Sequence, residues 1–268
     1  YRDFPIAVCG IDYDFRSSSD IFAGVARWRP LKKRVLYSII FLICIAGVLL
    51  FLLPYLPSTA NIVEVKQDTV PELKKQLSEK EINLGSPIFI RIFKASSELE
   101  VWIKEGEEFQ LLKTYPICYF SGELGPKLKE GDKQSPEGFY AVSARQMNPN
   151  SSYHLAFNIG FPNKFDRAHH RTGSYLMVHG SCVSIGCYAV TDKGIEEIYL
   201  FADAALNNGQ SFFRVHIFPF RMNESNMHKY RHSKWNDFWK NLKEGYDFFE
   251  TFKRPPNVEV INKRYVFN

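Results

Sequence analysis

Three hydrophobic patterns follow one another along the chain. The first is an unbroken apolar run. Val35 to Leu53 is 19 residues without a charge, interrupted only by Tyr37, Ser38 and Gly47. It is apolar all round, unlike an amphipathic core helix, and a helix of this length approaches the ~30 Å hydrocarbon core of a bilayer. The pattern predicts one transmembrane helix over 35–53. Arg27, Arg29, Lys32, Lys33 and Arg34 precede it, whereas Glu64, Lys66 and Asp68 beyond it are mixed in sign. The excess of basic residues on the near side predicts a cytoplasmic tail, 1–34, with everything after Leu53 outside. Ser58-Thr59-Ala60 opens a cleaved-signal alternative. The run exceeds a usual signal core and Pro54 and Pro57 crowd the site, so a retained anchor is favoured.

The second pattern is helical and short. Residues 54–86 read as a tether and a lead-in helix. Thr69-Val70-Pro71-Glu72 has capping-box form, Leu73 and Leu77 share a face, and Gly85-Ser86-Pro87 ends it. From Pro87 the period changes to two. Ile88, Ile90 and Ile92 alternate with Phe89, Arg91 and Phe93, and further strands are predicted at 99–103, 109–120, 139–143, 174–179 and 212–218. Lys94 to Ser97 and Glu105 to Glu107 read as turns between the first strands. Gly122 to Gly138 reads as a surface loop. Helical spacing returns at Ile195, Ile198, Ala202 and Ala205, after Thr191-Asp192, and again at Trp235, Phe238, Trp239, Leu242, Tyr246 and Phe249. The aromatic stripe of the second helix is expected to pack on the sheet; a sugar- or partner-binding role is the alternative. The fold predicted is mainly β, two packed sheets or a flattened barrel over 87–220, with appended helices and an extension over 221–268.

Composition narrows the class. With 45% apolar and 24% charged residues, the chain is globular rather than disordered. Of the net charge of +5, residues 1–60 carry +3, which leaves the main domain near neutral and excludes a nucleic-acid surface. Five cysteines, an odd number without repeating spacing, exclude a disulfide scaffold, and no second Cys pair or H-x₃₋₅-H set completes a zinc site.

Candidate chemistry concentrates in 174–192. An apolar strand delivers His179 at its end, a small-residue loop follows, and Cys187 closes it. A free thiol has a pKa of ~8.5 and needs a neighbouring base or an ion pair to act as a nucleophile at neutral pH. His179 supplies either, and a backbone carbonyl near Gly180 or Ser181 is expected to hold its other nitrogen. Gly186 permits a close backbone approach that would aim nearby amides at an oxyanion. Ser184 would support the loop or bond to substrate. The bland reading is a structural Cys187 and a satisfied core histidine. Cys182, five residues before Cys187, reads as a resolving or disulfide partner for it, or as a small filler. Tyr153 and His154 are candidate cleft residues, and His170 with Arg171 candidate binders of substrate carboxylates. His216, in an apolar strand, reads as core.

The arrangement H-G…S-x-G-C resembles the L,D-transpeptidase catalytic domain, the YkuD type, and within it the YafK-like murein enzymes. Ser86 to Lys94, Ser135 to Tyr140 and Asn158 to His169 carry the same resemblance, which spans roughly 69–220. It implies a catalytic Cys187, a proton-transferring His179 and a thioester with the L-centre carbonyl of diaminopimelate in peptidoglycan stem peptides. It implies no metal and no organic cofactor. An amine acceptor gives a transpeptidase. Water gives a hydrolase or amidase, which could release peptides or wall-linked lipoprotein. A non-catalytic wall-binding anchor is the remaining class. The commoner family form is S-H-G-C followed by an apolar residue and Arg or Asn. Here Ile185 takes the His position, Tyr188-Ala189 follows, and the His179–Cys187 loop is shorter. These departures favour the hydrolytic subgroup.

Overall fold

The computed structural model describes residues 33–52 and 60–268. The chain divides into two units, Tyr1–Leu56 and Pro57–Asn268. In the first, α1 (Lys33–Leu52) exposes apolar side chains such as Phe41, Leu42 and Ile43. Among the described residues no helix is long and apolar enough to cross a membrane. The expected span over 35–53 is therefore not supported by α1. The tail before Lys33 and the small-residue site at Ser58 and Thr59 lie outside the described residues.

The second unit opens with α2 (Ile62–Ser78), whose cap is Asn61, with its side chain accepting the Val63 N–H at 3.1 Å. The lead-in helix therefore starts before Thr69, and Pro71 lies inside it. Val65, Leu73 and Leu77 form its buried face. Eleven strands follow among the described residues: β1 (Ile88–Phe93), β2 (Glu98–Glu105), β3 (Glu108–Phe120), β4 (Gly138–Val142), β5 (Met147–Ser151), β6 (His154–Asn158), β7 (Met177–His179), β8 (Tyr188–Val190), β9 (Phe213–Phe218), β10 (Val258–Ile261) and β11 (Arg264–Phe267). Four more helices are interspersed: α3 (Lys164–Ala168), α4 (Asp192–Asn207), α5 (Glu224–Lys229) and α6 (Asn236–Phe252).

Strands β1 to β9 form one curled sheet in the order β4-β9-β1-β2-β3-β8-β7-β6-β5, and β10 pairs only with β11. Of the two expected arrangements, the single curled sheet agrees with the flattened barrel and not with two packed sheets. Helices take the place of a second sheet, because the alternation in β1 is apolar on both faces. Ile88, Ile90 and Ile92 pack with Leu73 and Leu77 of α2 and Ile195 and Ile198 of α4. On the opposite face, Phe93 packs with Trp239 and Leu242 of α6, and Phe89 with Phe249. The aromatic stripe of α6 is therefore core. Strand β3 joins the two halves of the sheet: its length pairs with β2, and its last residues, from Ile117, pair with β8.

Candidate active site

Strands β7 and β8 are parallel neighbours, with Val178 opposite Tyr188 and His179 opposite Ala189. This register sets Cys187 opposite Met177. Residues two apart on a strand share a face, so His179 and Cys187 project to the same side. The Met177 N–H donates to the Cys187 sulfur at 3.4 Å, which fixes that register at the thiol. Both side chains line a cavity of about 540 Å³ together with Tyr153, Ser151, Tyr175 and Ile185.

The buried His179 ring meets the carbonyl of Gly180, 2.7 Å from Nδ1. A carbonyl only accepts, so Nδ1 carries the proton and Nε2 the lone pair that a base requires. The acceptor is one of the two backbone carbonyls that the sequence suggested. Tyr153 covers the ring with centroids 4.9 Å apart. Burial pushes the His179 pKa down, partly opposed by the Gly180 bond. Burial likewise pushes the Cys187 thiol up, opposed by the Met177 N–H and the Lys127 charge. Both shifts favour the uncharged forms. A thiol beside a neutral imidazole suits proton transfer during attack better than a preformed ion pair.

The backbone beneath the nucleophile is held by hydroxyls. The Cys187 carbonyl accepts from Ser184 Oγ at 2.8 Å and from Ser135 Oγ at 3.0 Å. Ser135 Oγ also accepts the Ser121 N–H at 3.1 Å. The Gly186 N–H donates to Ser121 Oγ. The Gly186 amide itself is thus committed to Ser121. Glycine serves there for its φ of +96°, which side chains rarely adopt.

Ser135 belongs to the segment read as a surface loop, and Ser121 precedes it; the segment is a loop, but 125–127 and 135–138 are buried, for a specific reason. Lys94, read as a turn residue, is fully buried. Its ammonium donates to the carbonyls of Glu123 (2.6 Å), Gly125 (3.0 Å) and Ser135 (3.1 Å) and to Glu137 Oε1 (3.1 Å). Glu137, also fully buried, accepts the Gly125 N–H at 2.6 Å and the Trp239 indole N–H at 2.8 Å. A buried ion pair whose remaining valences are filled in this way pins the segment under Cys187.

Cys182 is disulfide-bonded to Cys118, with Cα atoms 5.2 Å apart. It is therefore neither a partner for Cys187 nor a filler. The pairing escaped the sequence because its partner lies 64 residues away at the end of β3. The loop from Gly180 to Cys187 returns the chain between parallel strands in fewer residues than such crossovers usually take. Consecutive left-handed residues, Ser181 (φ 63°) and Cys182 (φ 45°), make the tight return. Asp192 Oδ1 accepts the Ser181 N–H at 2.6 Å and braces it.

Two expected substrate residues lie elsewhere. Arg171 is buried, bonds Asp166 at 2.8 Å and stacks on Phe165 and Phe238, so its guanidinium is already committed. His170 is exposed in a left-handed turn and does not line the Cys187 cavity. His154 bonds Glu196 at 2.7 Å. The rim of the cavity is instead apolar, with Tyr175, Val183 and Ile185 at 75%, 55% and 77% exposure.

Residues 87–217 match the model of the YkuD family, the L,D-transpeptidase catalytic domain. The chain belongs to this L,D-transpeptidase family of peptidoglycan-modifying enzymes. It is 49% identical over 225 residues to the Escherichia coli (strain K12) protein named "Putative L,D-transpeptidase YafK", covering 83% of this chain and 89% of that one. Among solved structures, the helical cell shape determining protein Pgp2 of Campylobacter jejuni is 18% identical with a TM-score of 0.40, over 70% of this chain and 80% of that one. Bdellovibrio bacteriovorus Bd1075 is 22% identical with a TM-score of 0.34, over 60% and 56%.

Proposed function

We propose that the protein is a cysteine acyltransferase acting on diaminopimelate-containing stem peptides outside the cytoplasmic membrane. The observation that carries the reading is the single face shared by Cys187 and a His179 whose Nδ1 is occupied by the Gly180 carbonyl. His179 Nε2 takes the thiol proton as sulfur attacks the L-centre carbonyl of diaminopimelate. The peptide C–N bond breaks, the leaving amine takes the proton from the imidazolium, and a thioester remains. An incoming amine then restores an amide and frees the thiol. The Cys118–Cys182 disulfide supports an oxidising, extracytoplasmic compartment. The uncharged run 35–53 supports a membrane tether as part of the same reading.

The second reading is a hydrolase in which water resolves the thioester, releasing peptides or wall-linked lipoprotein. Exposed Ile185, in the place of the family's commoner histidine, favours it. Mass spectrometry of muropeptides incubated with the full chain in detergent tests both. New cross-linked or exchanged products support transfer, and net cleavage supports hydrolysis. Identical products from wild type and Cys187→Ala would remove the catalytic reading altogether. Extraction of the chain from membranes by alkaline carbonate would contradict the tether.

A further inference from the structure

At the other end of the sheet lies a second cavity, of about 470 Å³, between the edge strand β4, its neighbour β9, the α3 segment and β10. It shares no lining residue with the Cys187 cavity. Its charged lining residues are all cationic: Lys164, Arg167 and Arg214. Asp166, between the first two in sequence, is buried and held by Arg171, Tyr140 and Asn163. Arg214 is positioned, its guanidinium donating to Asn257 Oδ1 at 2.8 Å.

His216 also lines this cavity. It is 1% exposed and wedged edge-on between Phe89 and Phe139, each with centroids 4.6 Å away. Neither of its ring nitrogens has a hydrogen-bond partner among the described residues. Buried polar groups are almost always satisfied, and an unpaired histidine beside a cavity calls for a partner reached from it. A core role alone would favour phenylalanine, which fills the same slot without the desolvation cost of two nitrogens. Burial and the charges of Arg214 and Arg91 push the His216 pKa down and favour the neutral ring, which has one N–H to donate and one nitrogen to accept.

We propose that this cavity is a second ligand site that takes an oxyanion, carboxylate or phosphate, carried on a molecule with an apolar face. The guanidinium of Arg214 suits the planar or tetrahedral oxygens. Lys164 and Arg167 add charge at the mouth, and the rings of Phe139, Phe165 and Tyr265 supply an apolar wall. The site stands independently of the acyl-transfer reading, because it shares no lining residue with the Cys187 cavity.

The test is isothermal titration of the full chain in detergent with Cys187 alkylated, so that the catalytic cavity is blocked. The probes are inorganic phosphate and the stem tripeptide L-Ala–D-Glu–diaminopimelate, and the tighter one identifies the source of the oxyanion. Saturable binding of either probe that falls at least tenfold in Arg214→Gln, in Lys164→Ala/Arg167→Ala and in His216→Phe is expected, each with an unchanged melting temperature. Because Lys164 and Arg167 are surface residues, that double variant remains informative if the buried substitution fails to fold. Absence of saturable binding by both probes, or binding untouched by the double variant and Arg214→Gln, overturns the proposal.

Discussion

His179 Nδ1 lies 2.7 Å from the carbonyl of Gly180, the next residue in the chain, so the tautomer of this candidate base is set by local backbone rather than by a distant carboxylate. A backbone acceptor brings no charge to stabilise the imidazolium, and burial holds the His179 pKa below its usual value. The base form therefore persists into mildly acidic solution. The rate is expected to stay flat from neutral pH down past ~6.5, the ordinary histidine value, and to fall only below it. A pH–rate profile of muropeptide turnover checks this; an acid limb centred above that value would contradict it.

The thiol is raised by burial, so the resting enzyme holds little thiolate. Alkylation of Cys187 by iodoacetamide is expected to be slower at pH 7 than that of free cysteine, and its rate to climb with pH through a midpoint above the free-thiol value. Under the proposed mechanism substrate turnover is expected to be insulated from this, since there His179 takes the proton during attack.

Ser135→Ala removes one of two hydroxyls on the Cys187 carbonyl and strips a partner from the Ser121 N–H. A cost of about 1–3 kcal/mol is expected from the unsatisfied buried groups. Ser184→Ala removes only the other, more accessible hydroxyl and is expected to cost about 0.5–1.5 kcal/mol. Thermal denaturation of both variants ranks them, and equal losses would place the burden elsewhere.

Lys94→Met leaves Glu137 charged without its counterion in a site with no exposure. A loss of about 3–5 kcal/mol is expected. Lys94→Met/Glu137→Gln, which removes both charges, is expected to recover part of it. Denaturant titration separates the two cases, and a single variant as stable as wild type would mean the pair does not pin the segment.

Cys118→Ser or Cys182→Ser opens the link between β3 and the catalytic loop. About 2–4 kcal/mol of stability is expected to go, together with activity, because Ser181 and Cys182 then lose their restraint in left-handed conformations. Since both cysteines are exposed, mild reductant should reproduce the effect on the intact protein. A fully active Cys182→Ser would show that Asp192 suffices to hold the loop.

What the sequence disclosed and what it hid divide along physical lines. Period-two runs made β1, β2, β3, β4 and β9 readable, and Thr191 marked the start of α4. The short β5, Met147–Ser151, carries two Asn and a Pro, residues disfavoured in strands. It is tolerated because β5 is an edge, and no periodicity could reveal it. At the site, Cys187, His179 and Ser184 announced themselves by proximity in the chain. Ser121, Ser135 and Lys94 did not, since their roles come from contacts between distant segments. Lys94 misled because a lysine in a turn looks solvated, and only the converging carbonyls and Glu137 make its burial tolerable. Arg171 misled in the opposite sense, since its available-looking charge was already spoken for by Asp166.

The Lys94 network has a consequence for how the cleft can fail. Lys94 closes the β1–β2 turn with its carbonyl, which accepts the Ser97 N–H, and its ammonium gathers the carbonyls of Glu123, Gly125 and Ser135, while Glu137 ties them to Trp239 in the core. Surface loops ordinarily exchange their amide hydrogens through small local openings. Here the Gly125 and Ser121 amides can open only when the core does. They should exchange as slowly as the central strands, and the floor beneath the nucleophile should persist until the whole domain gives way.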